Sequence, residues 1–121
     1  MKFNDYSLAD IGFNPKEVAV YSALLELGEG TVFEIATRSK LNRTTVYPIV
    51  YRMLRDGVVK KLRKGKKRYF YIEDVRDLKR NIEQKETVLN KLLPQLEALH
   101  NFIPNKPKIT YYDGAQGMRD F

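Results

Sequence analysis

The chain has 121 residues, 43% of them hydrophobic and 31% charged, with a formal net charge of +7, one histidine and no cysteine. That length allows one compact domain with an extension, and the lack of cysteine removes disulfides and thiolate-bound metal. No apolar run approaches the ~20 residues of a membrane helix and the N-terminus has no signal core, so no membrane role is expected and the chain reads as cytoplasmic.

The charge is segregated. Residues 1–37 hold two basic side chains against six acidic ones, residues 38–68 hold twelve basic against Asp56 alone, and residues 69–121 hold eight of each. A block of this kind is an electrostatic footprint for a polyanion, most simply duplex DNA. A merely solvated Lys/Arg face is the alternative.

Residues 7–12 read as a short helical turn. Asn14-Pro15-Lys16-Glu17 then starts a helix: Asn caps, Pro is tolerated at the first position, and Glu17 reaches back to the cap. Val18, Tyr21, Leu24 and Leu25, flanked by Ala23, form its apolar face, and Gly28 ends it in the left-handed region. Thr31-Val32-Phe33-Glu34 is a second capping box, with Ile35 and Ala36 facing inward. Ser39-Lys40-Leu41 makes a turn and Asn42 caps a third helix over 43–56, stopped by Asp56-Gly57.

In that third helix Val46, Val50 and Met53 share one face, edged by Ile49 and Leu54. Thr44, Pro48, Tyr51 and Arg55 fall opposite, with Thr45 and Arg52 beside them and Arg43 and Tyr47 near the border. Pro48 removes one internal hydrogen bond and predicts a bend after the first turn. Two strands, Val58–Leu62 and Tyr69–Ile72, are expected around Arg63-Lys64-Gly65-Lys66-Lys67-Arg68, with Gly65 supplying a positive φ. Seven of the nine residues 60–68 are Lys or Arg, a concentration that a phosphate backbone would neutralise. Tyr69, Phe70 and Tyr71 read as strand residues packing this hairpin on the core.

A long helix is expected from Glu73-Asp74, where acids suit the helix dipole. Val75, Leu78, Ile82, Lys85, Leu89, Leu92, Leu96 and Leu99 follow a heptad seam. A helix over 75–99 would run on the order of 37 Å at ~1.5 Å per residue, too long for so small a domain to bury. The seam therefore predicts a homodimer through residues 75–99, with folding back onto the core as the alternative. Lys85 breaks the seam, and Pro94 either kinks the helix or ends its first half. Residues 101–107 read as a linker, Ile109–Tyr112 as a strand, Asp113-Gly114 as a turn and Ala115 onward as a helical turn. These last elements form no core alone, so the natural protein is expected to continue beyond them.

The fold class is thus mainly α with a small β-hairpin, a winged helix-turn-helix followed by a coiled-coil-like helix. Its expected divisions are 1–73 (DNA-binding), 74–103 (dimerisation) and 104–121 (linker and the start of a further domain). Leu24-Leu25-Glu26-Leu27-Gly28, Thr31-x-x-Glu34-Ile35-Ala36, Asn42-Arg43-Thr44-Thr45-Val46-Tyr47, Gly57-Val58-Val59 and Tyr112-Asp113-Gly114-x-x-Gly117 together resemble the TrmB family of winged-helix transcriptional regulators. The resemblance implies operator binding by the winged helix, with Arg43, Thr44, Thr45 and Tyr47 facing the operator, and dimerisation by the long helix. It also implies an effector domain, often for a sugar, so a small-molecule effector is expected only if such a domain follows.

The expected function is sequence-specific binding of double-stranded DNA by a homodimeric regulator, the third helix in the major groove. Arg43 is the candidate for a bidentate guanine contact. Asn42, Thr44, Thr45, Tyr47, Tyr51 and Arg52 are further DNA-facing candidates, and Arg63, Lys64, Lys66, Lys67 and Arg68 would hold backbone or minor groove. The rival reading is a winged-helix protein–protein module in a transcription or assembly complex. RNA is a lesser one, since no sheet-type stacking motif is visible beyond Tyr69, Phe70 and Tyr71. No cofactor is expected and no nucleophile–base pair is visible, so catalysis is not: His100 stands alone at a helix end, and Asp74 and Asp77 are first-turn acids.

Overall fold

The computed structural model describes residues 2–3 and 6–102. The expectations for 103–121 (the end of the linker, the strand at 109–112, the turn at 113–114, the helix from 115) lie outside these residues. The chain divides into a unit of residues 1–84 and a second from Lys85 onward. A two-residue antiparallel pair, β1 (Lys2–Phe3) and β2 (Tyr6–Ser7), leads into a 3₁₀ turn at Leu8–Ile11. Then follow α1 (Pro15–Leu27), β3 (Glu29–Gly30), α2 (Val32–Ser39), α3 (Arg43–Arg55), β4 (Lys60–Lys64), β5 (Lys67–Tyr71) and α4 (Asp77–Phe102).

The helix starts follow from their caps. Asn14 Oδ1 accepts from the Glu17 N–H at 2.9 Å while Glu17 Oε1 accepts from the Asn14 N–H at 2.8 Å. Thr31 and Glu34 repeat the exchange at 3.1 and 2.9 Å. Each box satisfies two helix-end donors at once. Gly28, at φ 79°, ends α1 with its N–H on the Leu24 carbonyl. Its ψ of −58° places it outside the left-handed region expected for it. Lys40, at φ 62°, makes the turn between α2 and α3. Asn42 holds the cap position of α3 through its carbonyl, which accepts from the Thr45 and Val46 N–H groups; its side chain makes no cap bond.

The core lies where α1, α2 and α3 meet the sheet. Val20, Tyr21 and Leu24 of α1, Ile35 of α2, Val46, Ile49, Val50 and Met53 of α3, and Phe70 of β5 are all buried. The face expected for α1 needs a correction. Val20 is fully buried, whereas Val18 is only partly so and Leu25 is exposed. With neighbours on more than one side, α1 buries a broader arc than a single stripe. Leu25 instead borders an apolar pocket of about 260 Å³ with Tyr6, Leu8, Tyr21, Val75 and Leu78. Burial pushes the Tyr21 phenol up to about 12, helped by the negative charges of Asp77 and Asp74.

The wing also differs from its expected bounds. Val58 and Val59 precede the strand: both N–H groups bond the Met53 carbonyl, closing the end of α3, and both side chains are buried. The hairpin is tighter than expected, with only Gly65 (φ 62°) and Lys66 between paired strands, so Arg63 faces Arg68 and Lys64 faces Lys67 across the ladder. Its far edge is supported by β3, where Glu29 pairs with Tyr71 and Gly30 with Phe70, giving a three-stranded sheet in the order β3-β5-β4.

α4 begins at Asp77, later than expected. The Asp74 side chain accepts from the Arg76 N–H at 2.9 Å, and its carbonyl accepts from the Asp77 N–H at 2.9 Å, so residues 74–76 form a turn ahead of the helix. Pro94 does not end the helix, which runs through it to Phe102, two residues into the expected linker. α3 is likewise continuous through Pro48. The Asn81 amide donates to the Asp56 carbonyl at 3.2 Å, tying the first turns of α4 to the end of α3.

Candidate nucleic-acid interface

The buried face of α3 determines what its other face presents. With Val46, Ile49, Val50 and Met53 inward, Arg43, Thr44, Tyr47, Pro48, Tyr51 and Arg55 are left exposed. The exposed face of α3 from Arg43 to Tyr51, the start of α2 and the end of the wing together enclose an open groove of about 610 Å³. Arg43, Tyr47 and Tyr51 line it from α3, and Lys66, Lys67 and Arg68 from the wing.

Ring contacts fix the geometry. Tyr47 and Tyr51, one helical turn apart, stack with centroids 6.3 Å apart and planes 8° apart. Tyr51 meets buried Phe70 edge-on at 5.8 Å and accepts a hydrogen bond on its hydroxyl from Arg68 Nη1 at 2.7 Å. One tyrosine therefore couples α3 to the wing, through an apolar contact below and a charge-assisted bond above. At the other end, the Arg43 guanidinium lies 5.9 Å from the centre of the Phe33 ring. Phe33 of α2 also lines the groove and is 62% exposed. The sequence reading missed it, although the signal was present: an aromatic residue on the polar side of a helix that turns Val32, Ile35 and Ala36 inward.

The remaining expected residues divide into two groups. Asn42, Thr44, Thr45 and Arg63 are accessible to different degrees but do not line the groove. Arg52 and Lys64 are engaged elsewhere. Arg52 donates to the Glu17 carboxylate on α1, which joins the two helices. Lys64 donates to Glu29 and lies 5.0 Å from the centre of the Tyr69 ring. The bond to Glu29 raises the Lys64 ammonium above its ordinary range.

Of the expected dimerisation residues, Leu78 packs against the core of the first unit, while Val75 and Ile82 are exposed there. In the second unit Leu89, Leu92, Leu96 and Leu99 are exposed along α4, accompanied by Val88, Leu93 and Phe102. Among the described residues no three His, Asp or Glu side chains come together to hold a metal ion, and no helix is long and apolar enough to cross a membrane.

Comparison with known proteins agrees with this architecture. A family model described as "Sugar-specific transcriptional regulator TrmB" matches residues 8–74. The uncharacterized protein MJ1082 of Methanocaldococcus jannaschii is 39% identical over 71 residues, which are 58% of this chain and 59% of that protein. The chain thus spans less than two thirds of this relative. A possible transcriptional regulator from Methanosarcina mazei Go1 superposes with a TM-score of 0.60 at 12% identity, covering 81% of this chain and 94% of the other. TrmBL2, an archaeal chromatin protein, gives 0.58 at 22% identity over 74% of this chain and 34% of its own. At such identities the two structures establish the winged-helix fold alone.

Proposed function

Since this chain belongs to the TrmB family of transcriptional regulators, we propose that it binds specific double-stranded DNA sites as a homodimer. α3 enters the major groove and the wing follows the adjacent backbone. The observation that carries this reading is the groove itself, where an exposed helix N-terminus and the most basic hairpin of the chain are held at a fixed separation by Tyr51 and Arg68.

Arg43, at the first position of α3, reaches a base edge, and its planar fork suits guanine O6 and N7. Asn42, with its side chain uncommitted to the cap, and Thr44 and Thr45 contact phosphates or neighbouring bases. Lys66, Lys67 and Arg68 neutralise phosphates and release counterions. Arg52 and Lys64 act indirectly, by joining α3 to α1 and the wing to β3.

The exposed stripe Leu89, Leu92, Leu96 and Leu99 supports pairing with a second copy. Each leucine that is fully covered contributes about 1.5–3 kcal/mol before the costs of association. A symmetric pair would read two half-sites about one helical turn apart. The test is enrichment of binding sites from a random duplex library, followed by anisotropy titration of wild type and Arg43→Ala. The reading predicts an enriched site containing a guanine that the variant no longer distinguishes. A library left unenriched, with all duplexes bound alike, would refute sequence-specific readout.

A further inference from the structure

We propose that Phe33 is a second base-reading side chain: beside the guanine held by Arg43, it recognises the methyl group of a thymine one or two steps away. This rests on the placement of α3 in the major groove proposed above and adds what part of the site is read from α2.

Phe33 is 62% exposed, in a helix whose other apolar side chains Val32, Ile35 and Ala36 are buried. It faces the basic groove together with Tyr47 and Tyr51. The tyrosines have hydroxyls that can meet phosphate or water, but phenylalanine has no polar group to offer a nucleic acid. What it can offer is an apolar surface, and the apolar feature presented by the major groove is the thymine methyl.

The contact with Arg43 sets the position. A guanidinium held over a ring has less conformational freedom to lose when its N–H fork meets guanine. The ring centre is 5.9 Å from the guanidinium carbon, and successive bases on a strand rise about 3.4 Å. That separation is comparable to one or two base steps, so with Arg43 on a guanine the Phe33 ring can reach a base that far along. The backbone beneath it is secured by the Thr31–Glu34 capping box and by the Thr37 hydroxyl, which donates to the Phe33 carbonyl at 2.9 Å. Phe33 takes no part in the core, so its replacement leaves folding intact.

The test uses the full chain and the best duplex enriched by wild type, with each thymine replaced in turn by uracil, a change that deletes only the methyl. One uracil, within two steps of the guanine that Arg43→Ala ceases to distinguish, is expected to weaken wild-type binding about fourfold, the worth of one buried methyl. Phe33→Ala should bind the thymine and uracil duplexes equally, with an unchanged melting temperature. If no uracil weakens wild type, or if Phe33→Ala stays as sensitive as wild type, the inference is wrong while guanine readout by Arg43 stands. If no sequence is enriched at all, readout by α3 fails and this inference fails with it.

Discussion

α3 and α4 are both amphipathic helices interrupted in sequence by a proline, yet they stand in opposite conditions. In α3 the apolar side is buried, and what remains exposed is Arg43, Tyr47, Tyr51 and Arg55 together with Thr44 and Pro48. In α4 from Lys85 onward every described residue is exposed, leucines included. The same helical periodicity thus serves two purposes. In the proposed reading, the stripe covered by its own chain leaves the opposite face of α3 for DNA, and the bare stripe of α4 is left for a second copy.

The largest expected effect lies on the covered side. Met53→Ala empties part of the core under α3 and should cost about 2–5 kcal/mol in the urea unfolding of the chain. If Leu92→Ala cost as much in a chain kept monomeric, the contrast between the helices would collapse. On the bare side, Leu92→Asp together with Leu96→Asp should leave the winged helix folded and shift the sedimenting species from dimer to monomer. A wild-type chain that is monomeric at micromolar concentration would contradict the proposed use of the stripe. Pro48→Ala restores the hydrogen bond missing from α3 and should raise stability by about 1–3 kcal/mol, read as a higher urea midpoint.

Two smaller effects are expected at the edges of α3 and α4. Tyr51→Phe removes the acceptor that holds Arg68 but keeps the ring on Phe70. Because the bond is exposed, the unfolding midpoint should change little, while duplex affinity falls about two- to tenfold from the freedom Arg68 regains before it meets a phosphate. Ahead of α4, Asp74 has its carboxyl below the ordinary value, chiefly through the backbone N–H of Arg76 and then its side chain. A carboxylate depressed in the folded state contributes stability above its unfolded pKa near 4, and that contribution is lost as pH falls further. Asp74→Asn should therefore be less stable than wild type at pH 7, with the difference shrinking below pH 4 in urea titrations.

Much of the frame was legible in the sequence. The two capping boxes, the turn at Lys40 and the inward face of α3 are encoded within a few residues each, so local chemistry sufficed to find them. β3 was invisible because two residues have no periodicity, and its pairing with β5 is a long-range event. The run 63–68 looked like a loop because like charges face each other across it; a two-residue connection backed by Tyr69, Phe70 and Glu29 closes the ladder nonetheless. At the candidate interface, Arg43 and the basic hairpin announced themselves by charge and position. The commitments of Arg52 to Glu17 and of Lys64 to Glu29 span 35 positions each and could not be read from spacing. Phe33 was overlooked although its place opposite Ile35 already set an aromatic ring off the inward face of α2.

The most direct test of the account is fluorescence anisotropy with a duplex oligonucleotide across a salt series, comparing wild type with Lys66→Gln, Lys67→Gln and Arg68→Gln combined. If these side chains meet phosphates, the affinity of wild type falls steeply and linearly in log–log form. The variant's slope should be smaller by about 2.7 per protomer, three contacts at about 0.9 each. Equal slopes for the two proteins, or no binding by wild type at low salt, would contradict the assignment of this groove to DNA.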